Sequence, residues 1–224
     1  MDLKRRMEEI MINEIKDKNW MKCFEIAWEA YCNGSYPIGA LVVNNEGDII
    51  SIGRSMQNEE INESQYIVGN KLSHAELNAL IQIKQSEHPN INNYTLYTTM
   101  EPCPLCFGAF IMSWVRNLKF AARDRYAGAT ELNEKSGYIK SKQSKIIGPH
   151  RLLERIQIAM QTDFILRRAN DMGKQKSNIL IDAWRLDSPD GVKLGEELFE
   201  TDKLQIWKKE NYSFEEVYDK LTNR

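Results

Sequence analysis

The chain has 224 residues, with 30 lysines and arginines against 32 aspartates and glutamates and a formal net charge of −2. That length can bury a real core, in one domain with an appendage or in two small ones. The near-neutral balance argues against a long nucleic-acid surface, which is normally strongly basic, and leaves a small-molecule ligand open.

A helix is expected over residues 2–33, broken near residues 17–19, with Phe24, Ala27, Trp28 and Tyr31 on one buried face. Asn33-Gly34 ends it. The basic residues near Met1 are followed by no apolar stretch of a secretory signal, and nothing in the chain is long and apolar enough to span a bilayer. Residues 38–43 and 49–53 read as a hairpin around the polar turn Asn44-Asn45-Glu46-Gly47-Asp48. Residues 55–72, with Glu59, Glu60 and Glu63, read as a loop. A helix over 73–85, a strand over 94–99, a helix over 104–115 and a strand over 118–122 follow. The order β-β-α-β-α-β predicts an α/β fold, a mixed sheet covered by helices.

Residues 133–145 are polar and carry Lys135, Lys140, Lys142 and Lys145, the pattern of a solvated loop. A long helix opened by Pro149 runs to Asp171-Met172-Gly173. Short helices are expected over 179–186, 192–199 and 214–221, the last after Ser213 as N-cap. This divides the chain into residues 1–173 and a helical C-terminal extension, 174–224. The four cysteines do not form a disulfide framework, which fits a reducing, cytoplasmic setting.

Chemistry concentrates in His74-Ala75-Glu76 and Pro102-Cys103-Pro104-Leu105-Cys106. Catalytic zinc commonly takes three protein ligands and leaves the fourth position to water. His74, Cys103 and Cys106 supply such a set. The prolines around Cys103 place both cysteines at a helix start, where the helix end favours thiolate. Glu76, two residues beyond His74, is poorly placed as a fourth ligand and well placed as an acid/base group. Each piece has a plainer explanation. Ser73-x-x-Glu76 is a capping-box pattern. A lone CxxC also serves structural zinc or thiol redox chemistry. In combination and in this order, they form the H-x-E…P-C-x-x-C signature of zinc deaminases. His88 and His150 have no ligand-like neighbours and read as surface or capping residues. The five tryptophans are scattered and read as packing residues.

The sequence resembles the cytidine/deoxycytidylate deaminase superfamily, within it the branch of tRNA adenosine deaminases and guanine deaminases. The likeness covers roughly residues 20–130. It rests on Pro37-Ile38-Gly39-Ala40-Leu41-Val42-Val43, His74-Ala75-Glu76-Leu77-Asn78-Ala79-Leu80, Thr99-Met100-Glu101-Pro102-Cys103-Pro104-Leu105-Cys106-Phe107-Gly108-Ala109 and Phe120-Ala121-Ala122-Arg123-Asp124. The resemblance implies a three-layer α/β/α fold and a homodimer whose sites are bordered by the neighbouring subunit. It implies Zn²⁺ on His74, Cys103 and Cys106, with Glu76 as proton shuttle. It assigns substrate contacts to Ala40, Ala75 and Asp124, and to Ser55, which stands where relatives commonly carry asparagine. The residues beyond about 174 have no counterpart in it.

The expected function is hydrolytic deamination of a free nucleobase, nucleoside or nucleotide, with ammonia released; the net charge and the acidic 59–63 loop favour a small substrate. Adenosine deamination on tRNA is the alternative. It would need a basic surface built from the lysines of 135–145 and from Arg167-Arg168. A non-catalytic zinc scaffold is the alternative of another class, and intact Glu76 speaks against it.

Overall fold

The computed structural model describes residues 17–61, 65–173 and 179–222. The part of the expected first helix before Asp17 lies outside these residues, as does Glu63. Helix α1, Lys18–Cys32, is capped by Asp17, whose side chain accepts from Asn19 N at 2.9 Å. Strands β1 (Gly39–Val43) and β2 (Ile49–Arg54) form the hairpin. At its turn, Asn44 Oδ1 accepts from Glu46 N at 3.0 Å and Asp48 N at 2.8 Å, and Gly47 takes a φ of +90°. Helix α2 (Ala75–Leu80), β3 (Thr95–Met100), α3 (Pro104–Met112) and β4 (Asn117–Ala122) follow.

The sheet has five strands in the order β2-β1-β3-β4-β5. Strand β1 is antiparallel to both neighbours, while β3, β4 and β5 run parallel. Alternate residues of a strand face opposite sides. Ala40 and Val42 pack with Ala75, Ala79, Leu96, Phe107 and Phe110 in one buried cluster. Leu41 and Val43 pack with Trp20, Phe24, Tyr97, Ile156 and Met160 in another. The sheet is thus the middle of three layers, with α2 and α3 on one face and α1 and the long helix after β5 on the other. The α/β expectation holds in this form.

Two local expectations need correction, and one plainer alternative is excluded. The solvated loop of 133–145 holds two short helices, α4 (Leu132–Lys135) and α5 (Gly137–Lys140), and runs into a fifth strand, β5 (Lys145–Ile147). Residues 145–147 lie on the sheet edge and gain ladder bonds there that three residues of local pattern do not announce. The helix expected over 73–85 ends at Leu80; the Gln82 side chain donates to the carbonyls of Asn78 and Ile52 and draws the chain out of the helix. Ser73 is no cap: its hydroxyl accepts from Met56 N at 3.1 Å and donates to Ile67 O, and His74 takes the N-cap position.

Helix α6 (Arg151–Asp171) leads to α7 (Ile179–Asp187), α8 (Pro189–Glu200), α9 (Lys203–Lys209) and α10 (Phe214–Thr222). Helix α9 had no clear sequence pattern. Ser213 does cap α10, and Glu216 returns a bond to Ser213 N at 2.8 Å. These helices share the α1 side of the core. Phe214 stacks on Phe24 with ring centroids 5.4 Å apart, and Trp28 Nε1 donates to Tyr212 O at 2.9 Å. Burial of one such phenylalanine contributes about 1.5–3 kcal/mol. A Cβ on Gly195 would stand 2.5 Å from Thr162 Cβ, so glycine is what lets α8 lie against α6.

Candidate metal centre and active site

The site forms where two helix starts meet the carboxyl ends of the parallel strands, the usual ligand crevice of an open α/β sheet. Strands β3 and β4 end side by side at Met100 and Ala122. Beyond Met100 the chain turns through Pro102 and opens α3 with Cys103 as N-cap and Pro104 in the first turn. Across from it, His74 caps α2 with extended backbone geometry.

His74 Nδ1 lies 3.6 Å from Cys103 Sγ and 3.3 Å from Cys106 Sγ, and the three ligand atoms all fall within 4.8 Å of one another. A tetrahedral zinc with its usual bond lengths puts nitrogen and sulfur about 3.6 Å apart, so the donor set fits the ion in both type and spacing. The electrostatics agree. The Cys106 thiol, donating to Cys103, holds the Cys103 pKa down to about 4 against the opposing effect of burial, and the His74 ring helps. Cys106 is pushed up by that shared proton and by burial. A divalent cation displaces such a proton and takes both sulfurs as thiolates.

Glu76 is buried and sits in the first turn of α2. Thr98 Oγ1, from β3, donates to its Oε1 at 3.3 Å. Burial is the main cause that raises its pKa, with His74 acting the other way. Because Ser73 is committed to residues 56 and 67, the Glu76 carboxylate is not spent on a capping box. Asn78 secures the same helix: its Oδ1 accepts from Ile67 N at 2.7 Å and its Nδ2 donates to Arg54 O at 3.1 Å.

A cavity of about 250 Å³ opens on this cluster, lined by His74, Glu76 and Cys103. Three larger clefts, of about 800, 890 and 490 Å³, lie elsewhere and touch none of the metal-site residues. Asp124 lines the cavity; Ala40, Ala75 and Ser55 are buried and do not. From the 55–72 loop, Gln57 reaches the wall instead of Ser55. Other parts of the wall come from residues no sequence pattern assigned to the site: Tyr36, Gln161, Leu180 and Trp184 among them. Trp184, one of the tryptophans expected only to pack, thus faces the site. Glu59 of the acidic loop is half-buried and paired with Arg54, so its charge does not repel an anionic substrate.

Residues 14–122 match the family model for the cytidine and deoxycytidylate deaminase zinc-binding region. The tRNA-specific adenosine deaminase 2 of Xenopus laevis is 31% identical over 140 residues, covering 58% of this chain and 74% of that protein. The chain belongs to the cytidine and deoxycytidylate deaminase zinc-binding family. Members of this deaminase family are zinc hydrolases. The tRNA-specific adenosine deaminase of Haemophilus influenzae is 31% identical over 118 residues, which make up 52% of this chain and 64% of that enzyme. The chain therefore spans just under two thirds of that relative's length. A guanine deaminase structure from Nitrosomonas europaea aligns at 21% identity with a TM-score of 0.47, over 64% of this chain and 80% of that one. The match to the deaminase family model stops at Ala122, before Asp124, Gln161 and Trp184. Among the described residues, no helix is long and apolar enough to cross a membrane.

Proposed function

We propose that this chain is a zinc-dependent hydrolytic deaminase of a free nucleobase, nucleoside or nucleotide, replacing an amino group by oxygen and releasing ammonia. The observation that carries the proposal is Glu76: buried, unused as a cap, and facing the same small cavity as His74 and Cys103. A zinc scaffold without catalysis has no need of that buried carboxylate.

In this mechanism His74, Cys103 and Cys106 hold the ion. Bound zinc supplies Lewis-acid activation of water near neutral pH. Glu76 accepts a proton from the attacking water and delivers it to the ring nitrogen beside the amine-bearing carbon; it then takes a second proton, from the hydroxyl added to that carbon, and passes it to the leaving amine, which departs as ammonia. Thr98 keeps the carboxylate turned toward the reacting group. A carboxyl raised by burial both takes and gives protons more readily near neutral pH than an exposed one.

Deamination of adenosine in tRNA is the second reading, favoured by the names of the curated relatives. Two observations support the small substrate over it. Part of the cavity's wall comes from this chain's own α7, through Leu180 and Trp184. Three of the six cations that would bind RNA are paired with acids: Lys135 with Glu131 at 2.7 Å, Lys140 with Glu134 at 3.1 Å, and Arg167 with Asp163 and Asp202. The homodimer implied by the resemblance stands as part of the proposal, and sedimentation of the purified chain tests it. The functional test is ammonia release from cytosine, adenine, guanine and their nucleosides and nucleotides, beside a tRNA. Release from one of the small compounds supports the proposal; release from tRNA alone overturns it in favour of the second reading.

A further inference from the structure

Helix α6 places two glutamines one turn apart in the interior. Gln157 Nε2 donates to Pro37 O at 2.7 Å and so ties α6 to the segment entering β1. Gln161 makes no such tie. It is only 2% exposed, it lines the cavity that holds His74, Glu76 and Cys103, and its Oε1 is buried without a hydrogen-bond partner among the described residues. An unpaired buried carbonyl carries a desolvation penalty. A methionine would fill the same volume without it. A buried polar group left in this condition at a cavity wall is explained by a partner that enters the cavity.

We propose that Gln161 reads the substrate base, its Oε1 accepting a hydrogen bond from an N–H of the ring. The inference rests on the deaminase reading above and adds to it a specificity residue from beyond the stretch that matches the family model. The surroundings suit a flat heterocycle. Leu180 and Trp184 give the cavity apolar wall, and Asp124 adds a second acceptor. The metal cluster and Glu76 engage the amine-bearing carbon. Gln161, on a different layer of the fold, is left to distinguish bases by the N–H groups elsewhere on the ring.

The test uses the full, zinc-loaded chain carrying Glu76→Gln, which binds without turnover. Equilibrium dialysis measures its affinity for guanine, adenine, cytosine and their nucleosides, alone and with Gln161→Met or Gln161→Glu added. Thermal melting is recorded for all three. Gln161→Met is expected to weaken binding of the preferred base about ten- to hundredfold, with the melting temperature unchanged or raised. Gln161→Glu, which keeps an acceptor oxygen, is expected to stay within a few-fold of the reference. Unchanged affinity in Gln161→Met, or a lowered melting temperature with affinity intact, overturns the proposal. Failure of the deaminase reading has a separate signature. The otherwise wild-type chain would release no ammonia from any of these compounds, and Gln161-dependent binding would then survive as base recognition alone. If no base binds the Glu76→Gln reference, both fall.

Discussion

Trp184 Nε1 donates to Asp124 Oδ1 at 3.2 Å, joining the first helix after residue 178 to the loop at the end of β4. The same oxygen accepts from Tyr126 N and Ala127 N, each at 3.1 Å. Next to it, Arg125 grips Asp187 with two nitrogens, Nε at 2.9 Å. Glu101, at the end of β3, accepts from Asp124 N at 3.1 Å. The loop that carries Asp124 is thus held from the sheet and from the C-terminal helices at once.

A pH effect follows from that bond. Burial raises the Asp124 pKa, and the Trp184 N–H is one of the donors that lower it. Trp184→Phe removes the donor and keeps the aromatic wall, so the Asp124 pKa rises further. A step that needs ionised Asp124 is lost as pH falls through that pKa. The acid limb of the kcat/KM profile should therefore move to higher pH in Trp184→Phe, with zinc content unchanged. An unmoved limb would separate Asp124 from substrate binding.

Metal removal should expose one reactive thiol. Cys103 is held near a pKa of about 4 in the bare cluster, while Cys23 is raised by burial and Cys32 is raised to about 11. After chelation, iodoacetamide at neutral pH should label Cys103 first, as mapped by mass spectrometry, and added zinc should protect it. Cys103→Ala and Cys106→Ala should each bind well under one zinc per chain and melt lower than wild type.

Gly53 sets how closely β2 approaches α2. A Cβ there would stand 2.2 Å from Ala75 O and 2.3 Å from Ala79 N. Gly53→Ala should cost about 1–3 kcal/mol through overpacking, seen as a lower melting temperature. Because α2 carries Glu76 and is capped by His74, zinc affinity should fall with it. A variant that keeps both wild-type stability and wild-type zinc affinity would show that α2 is not fixed by this contact.

His74, Glu76, Cys103 and Cys106 were legible in the sequence because their chemistry lies in residue type and short spacing, and the prolines flanking Cys103 mark a helix start by local sterics. The hairpin and the helices α1, α3 and α6 were legible from periodicity. Gln161 and Trp184 were not. Each stands on a helix whose pattern reads as packing, and each meets the metal cluster only through contacts between elements far apart in the chain. Strand β5 escaped for a similar reason: Ile146 and Ile147 become a strand by lying beside β4. The role of Ser73 was ambiguous locally, since S-x-x-E fits a cap, and only the backbone of Met56 and Ile67 lying against the hydroxyl decides against it.

The most direct measurement is the rate of ammonia release by the zinc-loaded Glu76→Gln chain against wild type, on whichever compound wild type deaminates, with zinc quantified in both. Full zinc occupancy with a rate lower by at least about a hundredfold is the expected result. A Glu76→Gln chain that holds zinc and turns over at the wild-type rate would contradict the assignment of the buried carboxylate as the proton carrier.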